Sequence, residues 1–153
     1  MSHGSFDIIR AGALSGYCQL ARLLAHDPQP LLAEVGLTEA DPGDPDQFVP
    51  RPAFSALLEH SASRFDCSDF GLRLAERQDI NVLGALAFAI RNAPDFRTAL
   101  ATMVKHMRYH SPLVAATLES GDNPNEERIA FRNLPPQTPA GPQMAEYALG
   151  LFC

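Results

Sequence analysis

Apolar residues recur at steps of three and four positions along most of the first 110 residues. This spacing places them on one stripe of a helix, where they can pack against a core. The pattern predicts helices over residues 15–26, Pro30 to Gly36, Pro52 to Phe65, Asp69 to Arg77, Ile80 to Ile90 and 94–109. The segment Ile80 to Ile90 is apolar almost all round and is therefore expected to be fully buried.

Local signals indicate where several of these helices begin and end. The side chain of Asp69 is a predicted cap, because its oxygens can accept a hydrogen bond from a first-turn N–H. Pro30 and Pro94 suit the first turn, where no N–H is needed. Gly36 is expected to end its helix in the left-handed conformation, and Gly84 indicates a close approach between helices.

The pattern changes after Pro112. Leu113–Glu119 and Arg128–Leu134 are short β-prone runs, separated by a turn-forming stretch of Gly, Asp, Asn and Pro, and they predict a β-hairpin. A proline-rich linker over 135–142 and a last helix from about Met144 follow. The predicted fold class is α+β, with a mostly helical N-terminal part of five to six helices, a β-hairpin and a truncated C-terminal helix.

Residues 38–52 contain four prolines and four carboxylates, a composition that predicts a surface loop. Asp41, Asp44 and Asp46 resemble a calcium loop only in charge, because prolines interrupt them and the required glycine and final glutamate are misplaced. We interpret this segment as a polar connection.

With 153 residues the chain is long enough for one hydrophobic core, so a single domain over 1–153 is expected. Twelve Lys and Arg against 18 Asp and Glu give a net charge of −6, which disfavours nucleic-acid binding by the chain itself. Arg97, Lys105 and Arg108 nevertheless lie on one predicted helix and leave room for a small cationic pocket.

Three cysteines without a C-x-x-C pair indicate reduced thiols, not a disulfide framework. The sequence has neither the pattern of a signal peptide nor a run of about 20 apolar residues, the length that spans a bilayer. A cytoplasmic protein without a membrane partner is expected.

No motif indicates an enzyme, a cofactor or a metal site. Asp69-Phe70-Gly71 spells the metal-binding triplet of kinases, but the glycine-rich loop, strand lysine and catalytic loop are missing. His106 and His110 have the spacing of two metal ligands on one helix face, yet no third ligand accompanies them. Neither a nucleophile elbow nor a phosphate-binding glycine loop occurs in the sequence.

Five segments, in order, carry a family resemblance. They are Pro30 to Leu37, Asp44-Pro45-Asp46 followed by Val49-Pro50, Phe70 to Arg77, Leu83-Gly84-Ala85-Leu86, and Arg108 to Pro112. Together they resemble the N-terminal, arabinose-binding-domain-like part of AraC-type transcriptional regulators. The resemblance covers nearly the whole chain.

The resemblance implies a bacterial sensor and dimerisation domain that precedes two DNA-binding helix-turn-helix motifs. On this interpretation residues 1–153 are a fragment, DNA is contacted only through the missing C-terminal domain, and a homodimer remains open. The implied partner is a small organic effector, anionic ones included, bound between the helices and the hairpin sheet. His106, Arg108 and Tyr109 are the predicted effector-binding residues near its edge. The alternative is a stand-alone helical dimerisation or protein-interaction module without a ligand.

Overall fold

The computed structural model describes residues 7–41, 44–110, 114–133 and 141–151. In chain order they form β1 (Ile8–Arg10), a 3-10 helix (Ala11–Leu14), α1 (Tyr17–Leu23), α2 (Gln29–Glu34), β2 (Phe48–Pro50), α3 (Arg51–Arg64), α4 (Phe70–Glu76), a second 3-10 helix (Ile80–Leu83), α5 (Ala85–Arg91), α6 (Phe96–His110), β3 (Val114–Ser120), β4 (Glu127–Asn133) and α7 (Pro142–Gly150). The predicted α+β class is confirmed, with the helices, the hairpin and the last helix in the expected order.

The described residues fall into two compact units. One contains the described residues up to Val82 together with α7, and the other contains those from Leu83 to Asn133. The prediction of a single domain over 1–153 stays a prediction.

Aromatic side chains form the centre of the first unit. Tyr17 meets Phe70 edge to face at 5.8 Å between ring centroids, and Phe65 meets Phe70 at the same distance. Phe54 meets Tyr147 of α7 at 5.2 Å, so the last helix completes this core. Edge-to-face contacts add stability beyond the burial of the rings.

The contact between α4 and α7 is close because each helix has a glycine at the contact. A Cβ at Gly71 would lie 2.2 Å from the carbonyl oxygen of Gln143, and a Cβ at Gly150 would lie 2.8 Å from the Cβ of Ala75. Only residues without a side chain let two backbones approach this far. The Phe70-Gly71 pair of the family signature thus serves helix packing.

The two shortest strands were not predicted. β1 and β2 pair antiparallel, with Ile9 opposite Val49, and both side chains are buried. The backbone N–H of Arg51 donates to the carbonyl of Asp7 at 2.9 Å, and its side chain makes an ion pair with the Asp7 carboxylate. The expected loop over 38–52 is therefore wrong at its C-terminal end. Strands of three residues are too short to show an alternation in sequence.

The predicted helix boundaries hold in part. Gly36 has φ +77° and ends α2, as expected, with Pro30 in the first turn. Asp69 precedes α4 but makes no capping hydrogen bond; its carboxylate instead accepts from Arg73 Nε at 2.9 Å. The predicted cap is wrong because the arginine one turn later competes for the same oxygen.

The expected buried helix over Ile80 to Ile90 is also wrong. A 3-10 helix ends at Leu83, and Gly84, at φ +59° and ψ −131°, separates it from α5. This backbone conformation is open almost only to glycine, which explains Gly84 better than the predicted close approach. Phe88 on α5 is 75% exposed, so apolar composition alone did not predict burial.

The second unit contains α5, α6 and the hairpin. α6 packs on α5 and on β3, and Met103 and Met107 lie on its buried side. Phe96, the first residue of α6, is 77% exposed. The hairpin is confirmed, with Leu118 opposite Ile129. The predicted ends of the hairpin, Leu113 and Leu134, lie outside the described residues. The same is true of residues 135–140 of the predicted linker.

None of the helices in the described ranges combines the length and the apolar character that a membrane span requires.

Candidate functional site

A groove of about 330 Å³ runs between α6 and β3 in the second unit. Five of its lining residues share one face of α6, where positions four apart lie above one another. The sixth comes from β3. The lining consists of Arg97, Thr98, Ala101, Thr102, Lys105 and Leu118. The groove therefore combines two cations, two hydroxyls and two apolar side chains.

The hairpin presents one of its faces to this groove. Opposing residues of an antiparallel pair share a face, and so do residues two apart on one strand. Leu118 and Ser120 are two apart, and Ser120 pairs with Glu127, so Leu118 and Glu127 lie on the same face. The side chain of Glu127 reaches Arg97 on α6, with 2.6 Å between Oε1 and Nη2.

Asp95 fixes the start of α6. Its Oδ1 accepts the backbone N–H of Thr98 at 2.7 Å, the hydrogen bond of an N-cap residue. Pro94 thus precedes the cap and lies two positions before the first helical residue, Phe96, so the first helical position predicted for it is wrong. The Thr98 backbone N–H, and then the Thr98 hydroxyl, hold the pKa of Asp95 below its ordinary value. Asp95 is therefore a charged carboxylate at neutral pH.

The two cations of the groove differ in their surroundings. Arg97 has its ion pair with Glu127, although its side chain is 76% exposed. Lys105 has no carboxylate within ion-pair distance among the residues that the structure describes. Its ammonium group is thus open to a ligand.

The two hydroxyls have partners within α6. Thr102 Oγ1 donates to the carbonyl oxygen of Thr98 at 2.7 Å, and the Thr98 hydroxyl interacts with Asp95. A hydroxyl has a single proton to donate. The groups left to donate into the groove are therefore the N–H groups of Lys105 and those of Arg97 that Glu127 does not engage.

The predicted effector-binding residues lie in the last turns of the same helix. His106 is half-buried and directly follows Lys105, but it does not line the groove. The backbone of Arg108 and Tyr109 continues α6, and their side chains lie outside the part that is described. Their role in effector binding stays a prediction.

A second groove, of about 670 Å³, lies between α1 and α4 in the first unit. Leucines of α1 form one wall and charged residues of α4 the other. Asp69 and Arg73 pair at 2.9 Å on that wall, and Glu76 and Arg77 add one charge of each sign. Because its charges cancel, this groove offers a ligand less selective electrostatic attraction than the smaller one.

Neither metal nor thiol chemistry is supported by the described side chains. They contain no cluster of three or more His, Cys, Asp or Glu that could hold a metal ion. Burial is the main cause that raises the pKa of Cys18 and of Cys67, so both thiols are protonated at neutral pH.

The sequence predicted that the effector binds between the helices and the hairpin sheet, which stays a prediction, but it did not identify most of the residues that line this groove. Arg97 and Lys105 were recognised as a basic face from their helical spacing. Thr98, Ala101 and Thr102 lie between them on the same face, and a helical projection could have added them. Leu118 could not have been predicted, because the packing of β3 on α6 has no local sequence signal.

Comparison with known proteins finds one matching family and similar relatives. Residues 26–153 match the family described as the arabinose-binding domain of AraC transcription regulator, N-terminal part. The chain is also similar to the HTH-type transcriptional regulator VirS of two strains of Mycobacterium tuberculosis, with 34% identity over 132 residues in each case. The match covers 86% of this chain and 39% of each relative, so the chain spans well under half of their length.

Proposed function

The chain belongs to the AraC family of transcription regulators, through the N-terminal domain of that family, and on this premise we propose that it senses a small organic effector. The proposed site is the groove between α6 and β3. The observation that supports it most is the Lys105 ammonium, which has no described carboxylate partner and borders an apolar patch formed by Ala101 and Leu118. Polar groups beside apolar surface are typical of small-molecule sites.

The proposed readout is transcription. The curated relatives are regulators named for a helix-turn-helix, and the additional length of those proteins leaves room for a DNA-binding part. An effector changes DNA binding only if it binds one arrangement of the whole regulator better than another. We place this regulator in the cytoplasm, where it reaches DNA. The family is one of regulators, and no catalytic role is proposed.

The site is tested by filling the groove. A library of amino acids, carboxylic acids and sugars is screened by thermal shift, and each compound that raises Tm is measured by titration calorimetry. Ala101→Trp is expected to abolish binding, because a large side chain occupies the space between Arg97 and Lys105. Ala89→Trp is the matched control, because Ala89 is also exposed and helical in the second unit. This variant should bind the same compounds as the unchanged chain.

The same experiment includes the residues predicted from sequence. His106→Ala is expected to weaken binding less than Ala101→Trp, because His106 does not line the groove. Arg108→Ala tests the role predicted for Arg108 from the sequence. Binding that survives Ala101→Trp would place the effector elsewhere. A chain that binds nothing in the screen but dimerises with concentration, as seen by light scattering, would favour the interaction-module alternative.

A further inference from the structure

We propose that the effector is a small carboxylate with an apolar tail, and that its carboxylate binds Lys105 and competes with Glu127 for Arg97. The proposal rests on the groove being the effector site. It goes further by naming the chemical class of the ligand and the internal group that the ligand displaces.

The two cations of the groove can reach one ligand. Arg97 and Lys105 are eight positions apart on α6, with the methyl group of Ala101 midway between them. A rise of 1.5 Å per residue separates their backbones by about 12 Å, and two long side chains can converge on one ligand over that gap. Both cations therefore line a single space, and a small anion placed there is attracted by both.

The charged groups of the lining are hydrogen-bond donors. A neutral polyol such as arabinose needs acceptors for its hydroxyls as well as donors. The acceptors beside the groove are the hydroxyl oxygens of Thr98 and Thr102 and the Glu127 carboxylate, which is already paired with Arg97. Hydrogen bonds from the cationic N–H groups of Arg97 and Lys105 to a carboxylate are charge-assisted and therefore stronger than those to a neutral sugar. A carboxylate is thus expected to bind this groove more tightly than arabinose does.

Glu127 already pairs with one of the two cations. Its carboxylate already occupies one side of Arg97, at 2.6 Å, and is 23% exposed. Among the described residues this is the ion pair that joins α6 to the hairpin. An incoming carboxylate makes the same kind of contact, so it competes with Glu127 for the guanidinium. Binding would then loosen the connection between the helix and the hairpin.

The test uses four probes on the 153-residue chain. Hexanoate has both a carboxylate and an apolar tail. Acetate has the carboxylate without a long tail, and hexanamide has the tail without the charge. L-Arabinose represents a neutral polyol. Binding is followed by the backbone amide signals of Thr98, Ala101, Thr102, Lys105 and Leu118 in two-dimensional NMR. Hexanoate is expected to bind about fivefold more tightly than hexanamide, since an exposed ion pair contributes up to about 1 kcal/mol. Acetate should bind more weakly than hexanoate.

Two substitutions should act in opposite directions. Lys105→Gln is expected to remove the preference for hexanoate over hexanamide, and Lys105→Arg to keep it. Glu127→Gln is expected to increase the affinity for hexanoate, because it releases Arg97. Arg91→Gln removes an exposed cation outside the groove and is the control, with an unchanged affinity expected. Amide spectra of the free variants verify that each is folded.

The outcomes separate this inference from the proposed function. If hexanamide or arabinose shifts the groove signals as strongly as hexanoate, the groove remains a site but the carboxylate assignment fails. An unchanged or weaker affinity for hexanoate in Glu127→Gln overturns the competition with Glu127. If none of the four probes moves these signals, the carboxylate assignment fails, and the library screen with Ala101→Trp decides separately whether the groove is a binding site.

Discussion

Gln143 accepts a hydrogen bond through Oε1 from the backbone N–H of Gly71, at 2.8 Å, although the two residues are 72 positions apart. The Nε2 of the same side chain donates to the carbonyl of Ser68 at 2.7 Å. One amide thus satisfies a donor and an acceptor beside the start of α4. The contact fixes α7 on α4 in one register.

Gly71→Ala should destabilise the first unit strongly. The added methyl would lie 2.2 Å from the carbonyl oxygen of Gln143, and backbone cannot yield as a flexible side chain does. A cost of about 1–3 kcal/mol in the free energy of unfolding is expected, measured by urea denaturation. Gly12→Ala is the control: its nearest neighbour would be 3.4 Å away, and a change within about 0.5 kcal/mol is expected.

Gln143→Met keeps the size of the side chain but removes both hydrogen bonds. The N–H of Gly71 and the carbonyl of Ser68 would then lack this partner, at a cost of about 2–4 kcal/mol. Ala145→Met places the same side chain at an exposed position of α7 and should change stability little. Equal stabilities of the two variants would show that the hydrogen bonds of Gln143 contribute nothing.

Tyr17 and Ser61 should behave as a coupled pair. Their side-chain oxygens are 2.9 Å apart in the core. Tyr17→Phe or Ser61→Ala alone leaves one buried hydroxyl unpaired and is expected to cost about 1–2 kcal/mol. The double substitution should cost less than the sum of the two, with a coupling energy of about 1 kcal/mol in a double-mutant cycle. Simple additivity would argue against this hydrogen bond.

Alkaline pH should destabilise the first unit through its buried tyrosines. Burial raises the pKa of Tyr17 from 10.0 to about 12 and also raises the pKa of Tyr147. The folded state therefore keeps protons that the unfolded state loses, so stability is full below pH 10 and falls as pH rises towards 12. Urea denaturation at a series of pH values should show a shallower decline for Tyr17→Phe than for the unchanged chain.

Asp95 should make α6 sensitive to acid. Because its pKa is lowered from 3.8 in the folded state, its contribution is present above that pH and is lost as the carboxyl gains a proton below it. Asp95→Ala should lower Tm and helix content at neutral pH. Asp95→Asn should retain the cap, since Asn caps about as well as Asp, but lose this acid dependence. Circular dichroism at pH 7 and pH 3 distinguishes the two variants.

The helices of the first unit could be predicted because their apolar stripes are local and repeat over several turns. β1 and β2 could not, since Ile8–Arg10 and Phe48–Pro50 are too short to alternate and pair across a long connection. The prediction of one buried helix over Ile80 to Ile90 was wrong for a different reason. Its composition is apolar, but the conformation of Gly84 divides it, and burial depends on neighbours that composition does not reveal.

The candidate site was predictable only where its residues lie on one helix. Helical spacing placed Arg97 and Lys105 together, because that relationship lies within one helix. The pairing of Arg97 with Glu127 depends on how the hairpin packs on α6, and no local pattern encodes it. His106, Arg108 and Tyr109 were predicted from their charge and aromatic character, without knowledge of how the hairpin packs on α6. These predictions remain to be tested.

The docking of α7 also determines when the first unit can finish folding. Its core contains Tyr147 against Phe54, and its register depends on Gln143, yet about sixty residues separate Val82 from α7. Closing so long a loop costs conformational entropy and slows folding. Because synthesis proceeds from the N-terminus, this core stays open until α7 leaves the ribosome. Apolar side chains such as Phe54 are exposed to water during that interval.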